Sequence, residues 1–169
     1  MVHRDLKPEN ILLSDKTVNA HILIADFGLG RFLKSQTQKM ETVCGTHHYL
    51  APELVRCDRG EISSYDRSVD VWGIGLIAFI MLFGFNPFLC AHPSTHPRPA
   101  ILRPSLQPDV PQPATLRLQP ATLHACRRDS NMQTHQAIVD CRYTFPKEDN
   151  VSSEAKDLIK HMMCLVSSE

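Results

Sequence analysis

The sequence predicts a mainly α fold with a short β ribbon, interrupted by a disordered Pro-rich insertion. Three observations lead there. A long apolar stretch ends at Gly84. Two short apolar runs near the N-terminus are separated by turn residues. Residues 89–133 hold eight of the twelve prolines of the 169-residue chain. Such a proline-dense span reads as a low-complexity segment.

The ribbon comes first. Ile11-Leu12-Leu13 and His21-Ile22-Leu23-Ile24-Ala25 flank Ser14, Asp15, Lys16 and Asn19. Short β-prone runs bounded by such residues read as paired strands. The pairing would hold Asn10 at one end and Asp26 at the other, at one edge of a rigid unit. Leu29 to Tyr49 is polar and without period, so it reads as an irregular segment.

Tyr65–Phe83 is the strongest helical stretch. It is apolar on every face beyond Asp70, which predicts a helix buried on all sides. Asp70 is then an acid inside an apolar element and needs hydrogen-bond partners. Gly84 is placed to end the helix.

After Phe88 the composition changes. Gln112-Pro113-Ala114-Thr115-Leu116 recurs as Gln119-Pro120-Ala121-Thr122-Leu123, and only Asp109 and Asp129 are acidic. Such a segment buries too little apolar surface to fold. A Pro-rich ligand for an aromatic groove is the functional alternative. Near the C-terminus, Ser152 can cap a helix whose Ala155, Leu158, Ile159, Met162, Met163 and Val166 recur at helical spacing and should face a core. The expected organisation is therefore 1–88 core, 89–135 insertion and 136–169 late helices.

Lys plus Arg and Asp plus Glu are 18 each, a net charge of zero that gives no footprint for nucleic acid. Six cysteines without a C-x-x-C pair suggest reduced thiols of an intracellular protein, cytoplasmic or nuclear. The run Val71–Phe83 is too short to span a membrane. His92 and His96 are separated by Pro93 and are poor candidates for a metal pair.

The chemistry lies in motifs. His3-Arg4-Asp5-Leu6-Lys7-Pro8-Glu9-Asn10 sets an acid, a base and an amide at spacings that one loop can aim into one cleft. Asp26-Phe27-Gly28, Cys44 to Glu53 (C-G-T-H-H-Y-L-A-P-E) and Asp70-Val71-Trp72-Gly73-Ile74-Gly75 follow. Together these resemble the C-terminal lobe of a eukaryotic serine/threonine protein kinase, closest to the calcium/calmodulin-dependent branch. The resemblance is close over 1–88 and looser over 136–166. Lys7 carries the Ser/Thr preference.

The resemblance implies transfer of the γ-phosphoryl of ATP to a protein Ser or Thr, with Mg²⁺ as cofactor. By it, Asp5 is the catalytic base, Lys7 stabilises the transferring phosphoryl, and Asn10 and Asp26 bind Mg²⁺. Thr46 lies beside Asp5 and Lys7. His3 and Phe27 pack together, and Gly28 lets the backbone turn. Asp70 accepts backbone N–H groups from the His3-Arg4 part of the loop. Glu53 is structural, and the later Arg that pairs with it in the family is absent. Thr42 is the candidate site for an activating kinase, its phosphate meeting Arg4 and either Arg31 or Lys34. His47-His48 replaces the family's Pro-Glu on the substrate-docking surface, and Gly30 replaces a common Ala.

The family's G-x-G-x-x-G loop, strand lysine and partner glutamate are not found, so a truncated and by itself inactive lobe is the expectation. A non-catalytic regulatory fragment is the alternative. A small-molecule phosphotransferase shares the H-x-D-x-x-x-x-N pattern, but the Ala51-Pro52-Glu53 and D-x-W-x-x-G matches argue against it.

Overall fold

The computed structural model describes residues 1–89 and 131–163 apart from 16, 18, 36 and 148. Among the described residues two strands, β1 (Ile11–Leu13) and β2 (Ile22–Ile24), precede four helices: α1 (Pro52–Asp58), α2 (Ser68–Phe83), α3 (Asn131–Val139) and α4 (Ser153–Met162). Single 3-10 turns lie at Pro8–Asn10, Phe27–Leu29 and His47–Tyr49. Residues 90–130 of the expected Pro-rich insertion and the position Val166 lie outside the described residues, whereas 131–135, expected in that insertion, form the start of α3.

The ribbon forms as the spacing predicts. β1 and β2 are antiparallel with Ile11 opposite Ile24 and Leu13 opposite Ile22. The Ala25 N–H donates to the Asn10 carbonyl, which continues the ladder to the point where Asp26 leaves it. Ile22, Leu23 and Ile24 are all exposed. The two strands therefore act as a brace between the two loops they end in.

α2 is the centre of the packing. Trp72, Leu76, Phe79, Ile80 and Phe83 are buried, and Phe79 is fully so. Phe79 packs its ring against Phe83, Phe85 and Phe145 at centroid distances of 4.6, 5.3 and 5.5 Å. Offset and edge-on aromatic contacts of this kind add to simple area burial. α4 packs on α2, and α1 packs on α3. Gly84 ends α2 at φ 81°, a left-handed conformation that glycine adopts without a Cβ clash, and its N–H donates to the Ile80 carbonyl.

Three expectations are corrected. The helix begins at Ser68 rather than Tyr65. Asp66 accepts the Ser68 N–H at 2.8 Å just ahead of the helix, while Tyr65 pairs with Met40 in a β-bridge. The helix is also not buried on every face: Val71, Ile74, Met81 and Leu82 are 40–49% exposed. An all-apolar helix does not reveal which face its neighbours cover. Leu158, expected to face a core, is 60% exposed, whereas Ile159 and Met163 are buried. The Ser152 cap is present, its Oγ accepting the Ala155 N–H at 3.3 Å. No helix among the described residues is long and apolar enough to cross a membrane.

Candidate active site

Asp70 is where the fold meets the loop. Its side chain rises from the first turn of α2 and accepts the backbone N–H groups of His3 at 2.7 Å and Arg4 at 2.9 Å. Arg4 takes a φ of 69°, so the chain turns sharply here and presents Asp5. A non-glycine residue in that region costs free energy, and the two hydrogen bonds to a carboxylate offset the cost. The His3 ring packs on Phe27 at 4.7 Å, and its Nε2 donates to the Ala25 carbonyl at 3.0 Å. The loop of residues 3–10 is thereby tied to the turn after β2.

Asp5 is buried, 9% exposed, and both carboxylate oxygens are engaged. Lys7 Nζ donates to one at 2.7 Å. The Thr46 N–H and hydroxyl donate to the other at 2.9 and 2.7 Å. Lys7 also reaches the Thr46 hydroxyl at 2.8 Å. Burial alone would raise the Asp5 carboxyl. The hydrogen bonds from Lys7 and Thr46, with the Lys7 charge, outweigh it and hold Asp5 below the ordinary carboxylate value. Asp5 is therefore ionised at neutral pH, an acceptor rimmed by a cation and a hydroxyl.

Gly45 makes this approach possible. Its φ is 121°, and a Cβ there would sit 2.8 Å from the Arg4 carbonyl oxygen. Any side chain would push Thr46 away from Asp5.

Asn10 is buried and donates its amide N–H to the Asp5 carbonyl at 2.9 Å. That bond commits the nitrogen and leaves the amide oxygen for another partner. Asp26 is exposed at φ 62°, one oxygen accepting the Gly28 N–H at 3.3 Å. An amide oxygen and a carboxylate, borne at the same end of the ribbon, are hard oxygen donors of the kind Mg²⁺ prefers. The residues present thus fit a hydrated Mg²⁺.

The remaining expected residues are also located. Thr42 is exposed. Its carbonyl accepts the Tyr65 hydroxyl at 2.5 Å, and that hydroxyl accepts Arg4 Nη1 at 3.4 Å. Arg4 thus approaches the Thr42 backbone through Tyr65. Glu53 is partly buried in the first turn of α1 and accepts the Ser68 hydroxyl at 3.1 Å. Two residues to which the sequence reading gave no part in the site support it. Tyr65 had been absorbed into the helix. Asn86 donates to the His48 carbonyl at 3.0 Å and accepts the Phe88 N–H at 2.9 Å. The Asn86-Pro87 pair was a turn signal that could have revealed it.

Burial pushes the Glu53 carboxyl above its ordinary value of 4.5, against the hydrogen bond from Ser68. The folded chain therefore disfavours the charged form. Its stability contribution is intact below pH 4.5 and falls as pH rises through the raised value. Glu53→Gln keeps the acceptor without the charge. It should raise stability at pH 7 and have little effect at pH 4. Urea denaturation at the two pH values checks this, and an equal shift at both would contradict it.

Comparison with known proteins agrees with this geometry. The description "Protein kinase domain" matches residues 1–169. Calcium/calmodulin-dependent protein kinase type IV of Mus musculus is 35% identical over 168 residues, covering 98% of this chain and 26% of that protein. Myosin light chain kinase A of Dictyostelium discoideum is 33% identical over 165 residues, covering 96% of this chain and 41% of its own length. A probable serine/threonine-protein kinase of the same organism, fhkC, reaches 52% identity over 89 residues, which are 52% of this chain and 14% of that protein. The chain therefore spans less than half the length of each of these relatives. With a domain match along its whole length and a relative 35% identical over 98% of it, the chain belongs to the protein kinase family, on its serine/threonine, calcium/calmodulin-dependent branch.

Proposed function

We propose that the chain is the acceptor- and metal-binding half of a protein kinase that phosphorylates Ser or Thr in protein substrates. The observation that carries this is the Asp5 carboxylate, buried, ionised and bound to a hydroxyl, Thr46, and to a cation, Lys7. A substrate hydroxyl arriving at the same carboxylate would be oriented by Asp5 and give up its proton there. Lys7, beside Asp5 and Thr46, would meet the charge that develops on a transferred phosphoryl. Asn10 and Asp26 would hold Mg²⁺, which neutralises phosphate charge when bound. A phosphate on Thr42, supplied by an activating kinase, would meet Arg4 by displacing or joining Tyr65.

The chain alone is proposed to be inactive. Phosphoryl transfer depends on positioning and electrostatic clamping, and no G-x-G-x-x-G loop occurs in the sequence to cover the phosphates. The expected Kd of the chain for Mg²⁺·ATP is weaker than about 1 mM, only some −4 kcal/mol. Calorimetric titration checks it. Micromolar binding would overturn the proposal that half the clamp is missing. The alternative, a regulatory fragment that engages substrates or a full-length relative without catalysis, draws on the same half-complete site. Turnover by the chain completed with an N-terminal lobe would decide for the kinase.

A further inference from the structure

His47 and His135 stack at 5.8 Å with an interplanar angle of 29°. The contact joins α3 to the 3-10 turn that follows Thr46 directly in the chain. The His135 Nε2 is buried and has no hydrogen-bond partner. A neutral imidazole tolerates this, because its unprotonated nitrogen needs no acceptor. A protonated one does not, because it would bury a charged donor with nothing to receive it. The surroundings are mixed but mostly unfavourable to a proton. His47 and His48 face the ring from the 3-10 turn, Arg59 from the residue after α1, and Asp58 from the last residue of α1. Arg59 is also bonded to Gln136, the next residue of α3, at 3.1 Å, which holds its cation close.

We propose that the His47–His135 stack is a pH-sensitive clasp. While His135 is neutral it holds α3 against the segment that carries Thr46, and protonation of His135 releases that segment. The inference rests on the reading of Asp5 and Thr46 as the acceptor site, and it adds a control on access to it. Burial first, then the nearby His47 and Arg59, lower the His135 basicity below the ordinary value of 6.5. A base whose folded value is depressed stabilises the contact above its unfolded value, and that stabilisation is lost as pH falls. The clasp is therefore closed at neutral pH and opens as pH falls below 6.5. The bonds from Thr46 to Asp5, one residue from His47, loosen with it.

The test needs no catalysis, so it stands apart from the kinase reading. Histidine ring signals and amide exchange of the whole chain are followed by NMR from pH 7.5 to 5. His135 is expected to titrate below 6.5. Exchange in 46–49 and 132–139, corrected for intrinsic rates, is expected to accelerate up to about tenfold per pH unit as it does. In His135→Phe, which keeps an aromatic ring without the proton, the acceleration should vanish. His135→Gln serves the same purpose if the Phe variant does not fold. An ordinary His135 titration with no change in exchange would overturn the proposal. So would a pH response that persists in the folded variant.

Discussion

Asp5→Asn, in the chain completed with an N-terminal lobe, is expected to lower kcat by roughly 10²–10⁴-fold, the usual worth of a positioned base. The amide cannot take a proton, and its nitrogen would meet either Lys7 Nζ or the Thr46 N–H donor to donor. Nucleotide binding should barely change, because Asp5 points at Thr46 and Lys7 and not at the Asn10–Asp26 end of the ribbon. Asp26→Asn should behave differently. It removes a carboxylate from the proposed Mg²⁺ site, so nucleotide Kd and kcat should worsen together. Steady-state kinetics and nucleotide titration on both variants separate the two roles. Normal turnover by Asp5→Asn would remove Asp5 from the chemistry altogether.

The parts of the fold that were legible in the sequence are those where local chemistry and tertiary context agree. The ribbon could be read because two short apolar runs are separated by residues that favour turns, and they pair as Ile11 with Ile24. The end of α2 could be read because Gly84 is the residue a left-handed cap requires. α1 was not anticipated as a helix, although Pro52 stands at its first position, where proline's missing N–H costs nothing. The Ala51-Pro52-Glu53 residues had been read as a motif instead. α3 was equally hidden, since its sequence is largely polar and its fold rests on contacts with α1. Within the site, the motif residues come together across long sequence separations, as Asp5 with Thr46 and His3 with Phe27. The pairing of His47 with His135 has no local signature, because the two residues lie 88 positions apart and meet only in the packed chain.

Asp70→Asn is expected to destabilise the chain by about 2 kcal/mol, within the range for hydrogen bonds to a charged acceptor. Both carboxylate oxygens of Asp70 receive a backbone N–H, one from His3 and one from Arg4. An amide offers a single acceptor oxygen and turns an N–H₂ toward the other donor. One backbone donor is then left unpaired, and the left-handed Arg4 loses part of what holds it. The disruption should be local, because the rest of α2 is anchored by Phe79, Ile80 and Phe83 in the core. Urea denaturation should show a lower midpoint with an unchanged slope, the sign of lost stability without a change in the surface exposed. Amides of residues 3–5 should exchange faster than those of 76–83 in the same sample. In the completed kinase the displaced Asp5 should cost about 10²-fold in turnover, the effect of a misplacement of an ångström or so. Wild-type stability, or uniform loosening across α2, would mean that Asp70 does not position the loop.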